Sequence, residues 1–316
     1  MELVDRILQG DDGSAARLIS MIEEGLDEGY EAVSLLFPHI GKAYVIGVTG
    51  VPGSGKSTVV NRLAGIYGGQ GKKVGIIAVD PTSAKGTGAF LGDRVRMREA
   101  EKLEGVFIRS MAHRGFPGGV AKATLGAIYV LDGLGKEIIL IESVGAGQTE
   151  LQISSICDSV VTVLTHDYGD EIQLMKAGLL EIGDIVVMNK MDQPGTREAA
   201  EDIALHLVNR NERLWQIPVV LTEARKGEGV EDLAKTLDLH HKHIENTEYG
   251  KKQKQEKIKQ LVMALCKEEV WGAIMKQIPD IRAFADILEK VQGNEMDPYT
   301  AVRRMVPLVL PAGGIP

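Results

Sequence analysis

The octet Gly50-Val51-Pro52-Gly53-Ser54-Gly55-Lys56-Ser57 constrains this chain more than any other segment. It meets all four defined positions of a phosphate-binding loop, and its flanks suit the mechanism. Tyr44 to Val48 reads as a buried strand. The run from Thr58 to Tyr67 places Val59, Val60, Leu63, Ile66 and Tyr67 on one helical face. A strand, a glycine loop and a helix N-terminus together make an anion site. Glycines let backbone N–H groups approach phosphate oxygens, and the helix dipole favours negative charge there. Gly50, Pro52, Gly53, Ser54, Gly55 and Thr58 are therefore expected to line the nucleotide. Lys56 is expected on the β- and γ-phosphates, and the Ser57 hydroxyl on Mg²⁺.

A second motif selects the base. Asp184 to Met188 reads as a buried strand that runs into Asn189-Lys190-Met191-Asp192, an NKxD pattern. A carboxylate at Asp192 can accept from the N1–H and the exocyclic amine of guanine together. Adenine has no such donor pair and would leave the carboxylate unpaired. The expected ligands are therefore GTP and GDP. A later strand, Pro218 to Leu221, leads into Thr222-Glu223-Ala224, where Thr222 and Ala224 are candidates for contacts to the base.

Repeated alternation of strand and helix patterns predicts the fold class. Strands are expected at 44–49, 74–79, 106–109, 138–142, 160–164, 185–188 and 218–221. Such a series argues for an α/β, doubly wound, mostly parallel sheet covered by helices on both faces. Three parts are expected: a helical N-terminal extension over 1–40, a nucleotide-binding domain over 41–240 and a C-terminal helical arm over 241–316. In the extension, Asp12 or Ser14 is the expected cap and Leu18, Ile19 and Ile22 the apolar stripe. In the arm, Ile258, Leu261, Val262 and Leu265 form one stripe, and Ile281, Phe284, Ile287, Leu288 and Val291 another. Stripes this apolar predict a homodimer. The last helix should open at Asp297-Pro298, a cap followed by proline at the first helical position.

Further carboxylates stand at strand ends. Glu142, in Glu142-Ser143-Val144-Gly145, is a candidate for the Mg²⁺ shell, and the Gly145 N–H for the γ-phosphate. Asp80 and Asp93 could ligate Mg²⁺ or polarise the attacking water. Gln148 could orient that water or could be a turn residue. No residue reads as an arginine finger, so unassisted turnover should be on the order of 10⁻³ to 10⁻² s⁻¹.

Composition excludes several classes. Of 316 residues, 25% are charged, and the formal charge of −8 disfavours a general nucleic-acid or anionic-membrane binder. No apolar stretch approaches the length of a membrane span, and the acidic N-terminus does not resemble a signal peptide. Cys157 and Cys266 form neither a disulfide framework nor a CxxC motif, so a cytoplasmic location is expected.

In order, the segments GVPGSGKST, AVDPTS…LGDRVRM, RSMAHRG…GGVAKAT, IESVGAGQTE, GDEIQLMKAG and NKMD resemble the MeaB/ArgK-type GTPases over nearly the whole chain. The human methylmalonic aciduria type A protein belongs to the same family. The resemblance implies a homodimeric GTPase of the SIMIBI class of metallochaperone GTPases. It implies a coenzyme-B12-dependent acyl-CoA mutase as partner, with an adenosyltransferase as a further one, and GTP hydrolysis coupled to cobalamin loading, protection or rescue. It places Lys56 and Ser57 on phosphate and Mg²⁺, Asp80, Asp93 and Glu142 around metal and water, and Asn189, Lys190 and Asp192 on guanine.

Three segments depart from that pattern. His166-Asp167 stands where the family has Pro-Gly. Ala84-Lys85-Gly86-Thr87 replaces Pro-Phe-Thr-Gly, and Phe116-Pro117 replaces a small and an aliphatic residue. The resemblance makes these the partner-sensing loops, so the partner can differ from the usual methylmalonyl-CoA mutase.

Three rival readings exist. His240-His241-Lys242-His243 invites a nickel- or cobalt-insertion GTPase, but on a helix the three imidazoles do not converge, and a solvated face is expected. A kinase or ATPase serving amino-acid transport is opposed by the guanine motif. A nucleic-acid module built on Lys251 to Lys259 is opposed by the interspersed Gln and Glu.

Overall fold

The structure is a computed structural model that describes residues 2–80, 103, 105–112, 119–143, 154–166, 179–209, 215–277 and 282–309. The chain forms two compact units, Met1–Ile258 and Lys259–Pro316.

The first unit is built on seven parallel strands: β1 (Tyr44–Gly50), β2 (Val74–Asp80), β3 (Phe107–Ala112), β4 (Ile138–Ser143), β5 (Ser159–Leu164), β6 (Ile185–Asn189) and β7 (Val219–Thr222). Their order is β3-β2-β4-β1-β5-β6-β7. All seven coincide with the strands expected from the sequence to within three residues at either end. β1, β4, β5 and β6 are buried along their whole length. A parallel strand covered on both faces needs apolar residues at consecutive positions rather than alternate ones, which is why these runs were readable.

The helices of this unit are α1 (Glu2–Leu8), α2 (Asp12–Glu23), α3 (Asp27–Leu36), α4 (Lys56–Gly69), α5 (Gly119–Gly133), α6 (Leu179–Ile182), α7 (Thr196–Asn209) and α8 (Val230–Asn246). One face of the sheet packs against α4 and α8. Val59, Val60, Leu63 and Tyr67 meet Leu233 and Leu237 over Ile46, Val48, Ile76 and Leu140. Full burial of a side chain such as Leu63 stabilises by about 1.5–3 kcal/mol. On the opposite face, α1, α2 and α5 cover one half, and α6 and α7 the other. The N-terminal helices thus share a core with Ile77, Val79, Ile139 and Ile141 of the sheet. Arg109 of edge strand β3 also pairs with Glu23 and donates to Ser20 Oγ at 2.9 Å. The cap of α2 is Asp11 rather than Asp12 or Ser14. Its carboxylate accepts from Gly13 N at 2.9 Å and Ser14 Oγ at 2.7 Å, so Ser14 serves as a donor to the cap.

A polar cluster lies at the amino ends of the strands. The Tyr44 hydroxyl meets Ser159 Oγ at 2.5 Å, and Ser159 Oγ meets His240 Nδ1 at 2.6 Å. Trp215 packs on His240 and donates its indole N–H to Asp184 O at 2.9 Å. His240 is 2% exposed and so does not lie on a solvated face. Burial drives its imidazole down from the ordinary value of 6.5 to about 4, with the Asp184 carboxylate opposing the shift. The sign follows by linkage. The folded state holds His240 neutral while the unfolded chain protonates near 6.5, so this contribution is complete above pH 6.5 and is lost as pH falls toward 4. Each pKa unit corresponds to about 1.4 kcal/mol, so the loss approaches ~3 kcal/mol at the acid end. Urea unfolding of His240→Gln is expected to show a flatter acid limb than the wild type between pH 6.5 and 4. Equal losses in both proteins would assign the acid limb to other groups.

The 30-residue helix α9 (Glu248–Gln277) follows α8, and Lys257 on its first half donates to Cys157 O at 2.9 Å. In the second unit, α10 (Arg282–Gln292) packs with α11 (Pro298–Val309), burying Phe284 and Ala301. Asp297 caps α11 by accepting from Thr300 N at 2.9 Å, with Pro298 at the first helical position as expected. Val262, Met263, Trp271, Leu288 and Val302 of this unit are exposed. No helix among the described residues is long and apolar enough to cross a membrane.

Candidate functional site

The strand order reverses beside β1. From β1 the chain passes over β4 to reach β2, and from β4 it crosses β1 to reach β5. In open parallel sheets, ligands bind outside the carboxyl ends of strands at such a reversal. Gly50 ends β1 there, and the loop to Lys56, the first residue of α4, lies in the crevice.

Within the loop, Lys56 is 7% exposed, and its ammonium donates to Gly50 O at 2.9 Å and Val51 O at 3.0 Å. These carbonyls offset the cost of burying a cation. They also hold it at the head of α4, where phosphate oxygens are favoured. Ser57 Oγ lies 2.5 Å from Glu142 Oε1, and Glu142 is 3% exposed at the end of β4. A hydroxyl and a carboxylate in contact are two hard oxygen donors, a set that suits Mg²⁺. Pro52 and Gly53 are exposed at the loop tip, while Ser54 is fully buried. Thr58 lies in the first turn of α4.

The base motif is wired to the phosphate loop through Asn189. Its Nδ2 donates to Ser54 O at 2.7 Å, while its Oδ1 accepts from Thr222 Oγ1 at 3.0 Å and Ala224 N at 3.1 Å. Gly55 has φ 94°, and a Cβ there would stand 2.4 Å from Asn189 Nδ2. Both the backbone sign and the space require glycine. Lys190 follows in the left-handed region at φ 62°, and Met191 N donates to Thr222 O at 3.0 Å. These bonds fix the turn that presents Asp192, which is exposed. A hydrogen bond from Glu223 holds the Asp192 carboxyl below the usual carboxylate range, and the same bond pushes Glu223 up.

The structure therefore brings together Lys56, Ser57, Glu142, Asn189, Thr222 and Ala224, with Lys190 and Asp192 on the adjoining turn. Asp80 ends β2, with its backbone alone described. Asp93, Gly145, Gln148 and Asp167 lie outside the described residues. Sequence reasoning missed two residues. Arg62 of α4 donates to Ala224 O at 3.1 Å and Arg225 O at 2.5 Å, supporting the turn after β7. Its signal was a cation set among the apolar positions Val59, Val60, Leu63 and Ile66 of α4. Glu223 is the other.

His166, at the exit of β5, stands over the base loop. A Cβ on Gly195 would lie 2.7 Å from its Cε1 and 2.8 Å from its Nε2, so the ring takes the space beside the segment that follows Asp192. Among the described residues, no three His, Cys, Asp or Glu side chains gather as metal ligands, the 240–243 histidines included.

The family model described as methylmalonyl-CoA mutase-associated GTPase MeaB matches residues 15–278. A Pyrococcus abyssi protein named as a GTPase is 38% identical over 99% of this chain and 97% of its own. The mouse protein named methylmalonic aciduria type A homolog, mitochondrial, is 35% identical over 81% of this chain and 63% of its own. GTPase ArgK of Escherichia coli is 26% identical over 96% and 95%. A crystal structure titled LAO/AO transport system kinase superposes with a TM-score of 0.73, covering 98% of this chain and 96% of that one at 21% identity, which shows a shared fold.

Proposed function

The chain belongs to the MeaB family of GTPases and hydrolyses GTP, and from that premise we propose that it couples this hydrolysis to cobalamin loading and protection of a coenzyme-B12-dependent acyl-CoA mutase in the cytoplasm. The observation that carries the reading is the match to the mutase-associated family from residue 15 to residue 278, through the nucleotide domain and all of α9. The mouse relative, named for methylmalonic aciduria, points the same way.

In the reaction, Lys56 neutralises the β- and γ-phosphates, and the α4 N-terminus orients them. Ser57 and Glu142 would hold Mg²⁺, which would supply charge neutralisation at the transferring phosphoryl group. Asp192 accepts from guanine. Asp80, Asp93 and Gln148 order the metal shell and water, with the Gly145 N–H on the γ-phosphate. With no arginine finger legible in the sequence, the partner orders the catalytic loops. The exposed apolar residues Val262, Met263 and Trp271 support a homodimer through the C-terminal helices. Light scattering of the full chain should return twice 34.2 kDa; a monomer at micromolar concentration removes that part of the reading.

The functional test uses purified methylmalonyl-CoA mutase holoenzyme as the probe. GTP turnover is expected to rise at least about tenfold with mutase, from on the order of 10⁻³ s⁻¹ alone. Reciprocally, GTP and GDP should change mutase affinity by unequal factors. The double variant His166→Pro, Asp167→Gly should keep intrinsic hydrolysis and lose the coupling. Mutase without effect on turnover, in any nucleotide state, would make a different acyl-CoA mutase the next probe; failure with all of them ends the mutase reading.

A further inference from the structure

We propose that Arg62 is a positioning residue of the base site: from the phosphate-loop helix it holds the backbone of residues 224–225, and so sets guanine-nucleotide affinity without touching the ligand. The proposal rests on the reading of the turn after β7 as the loop that meets the base.

Arg62 starts from a rigid base. It precedes Leu63 in α4, whose Val59, Val60, Leu63 and Tyr67 are buried in the core. The Tyr67 hydroxyl also donates to Asp238 Oδ1 of α8 at 3.3 Å. In a close-packed interior, α4 cannot shift without disturbing the sheet beneath it. The same helix begins at Lys56, whose ammonium is placed for phosphate. From this helix the half-buried guanidinium reaches a segment 162 residues further along the chain. Nε donates to Ala224 O at 3.1 Å, and Nη2 donates to Arg225 O at 2.5 Å. A Cβ on Gly227 would stand 4.0 Å from Nε, so the guanidinium lies along the turn.

The clamp completes a two-sided hold on one residue. Ala224 N donates to Asn189 Oδ1 at 3.1 Å, and Ala224 O accepts from Arg62. Asn189 belongs to the base motif and Arg62 to the phosphate helix, so Ala224 ties the two halves of the site together. The turn beyond it closes on itself. Lys226 N and Gly227 N donate to Glu223 O at 3.0 and 2.9 Å, and Gly227 N also reaches Ala224 O at 3.3 Å. That closure keeps the turn's shape, while Arg62 fixes the far side of Ala224 against α4. Arginine suits the task because its planar guanidinium spreads donors in fixed directions and takes two carbonyls at once, whereas an ammonium is a point charge. Without the clamp, the base must order the loop as it binds, at a cost in affinity. The phosphates, met by Lys56 and the α4 N-terminus, should not register the loss.

The test compares Arg62→Met and Arg62→Lys with wild type in the full-length protein. Methionine keeps an apolar stem and has no donor. Calorimetric titration with GDP reads the whole site, and titration with magnesium tripolyphosphate reads the phosphate end alone. Arg62→Met should lose about tenfold in GDP affinity, as for hydrogen bonds made by a charged group. Its KM for GTP should rise in parallel with kcat unchanged, the pattern of binding lost equally in the ground and transition states. Tripolyphosphate affinity should be unchanged. Arg62→Lys should fall nearer the methionine variant than the wild type, because one ammonium does not take both carbonyls. Wild-type GDP affinity in either variant overturns the proposal. So does a parallel loss for GDP and tripolyphosphate, which would make Arg62 a support of α4 rather than of the base loop. The lysine variant keeps charge and stem, so it decides even where the methionine variant does not fold. A wild type that binds ADP as tightly as GDP overturns the guanine reading itself.

Discussion

Replacing Lys56 by alanine is expected to remove measurable GTP hydrolysis. The ammonium is held at the mouth of the loop by two carbonyls, at 2.9 and 3.0 Å, so it is positioned before phosphate arrives. A preorganised charge acts on the transition state without reorganisation, and loss of a single such donor costs about 10²–10³ in rate. Applied to an intrinsic rate on the order of 10⁻³ s⁻¹, that loss takes turnover below routine detection. Glu142→Ala should act differently. It removes the carboxylate beside Ser57, so Mg²⁺-dependent turnover should drop further than GDP affinity does. Single-turnover phosphate release, paired with calorimetric GDP binding, separates the two. Turnover by Lys56→Ala within a factor of a few of wild type would remove Lys56 from the reaction.

Asp192→Asn is expected to redirect base choice. Sites built to pair a polar edge reject the analogue that lacks it by up to about 10⁴–10⁵, because partners that the bound base covers are left unpaired. The native protein should accordingly bind GTP orders of magnitude more tightly than ATP. An asparagine presents one acceptor and one donor where guanine brings two donors. Xanthine carries a C2 carbonyl in place of the amine and fits that pair. The variant should lose guanine affinity and gain for xanthosine nucleotides, read by competition titration. The remainder of the turn should be unaffected, since Asn189, Thr222 and Ala224 hold it without Asp192. An unchanged preference for guanine over xanthine would move base recognition elsewhere.

What could be read in the chain was local. The loop from Gly50 to Ser57 and the helix after it are contiguous, and phosphate binding by a strand–loop–helix unit needs only neighbours in sequence. The buried strands were legible for a similar reason: burial on both faces writes itself as an unbroken apolar run. His240 is buried by its place in the helical repeat. Leu233, Leu237 and His240 follow the helical repeat of α8, so His240 continues the buried stripe although the residues beside it made the tetrad look solvated.

The amino-acid sequence by itself determined the class of this protein: a parallel α/β sheet, a phosphate loop, a guanine motif and the family they compose. Tertiary structure alone decided how the pieces act together. Asn189 reaches Ser54 across 135 residues, and Glu142 reaches Ser57 across 85. No pattern of short period encodes such meetings, because they depend on the order β3-β2-β4-β1-β5-β6-β7 bringing distant strand ends to one edge. The burial of Glu223 beside an exposed Asp192 is of the same kind. An acidic residue in a turn reads as solvated until the fold encloses it, and its chemistry then follows from the neighbour it was given.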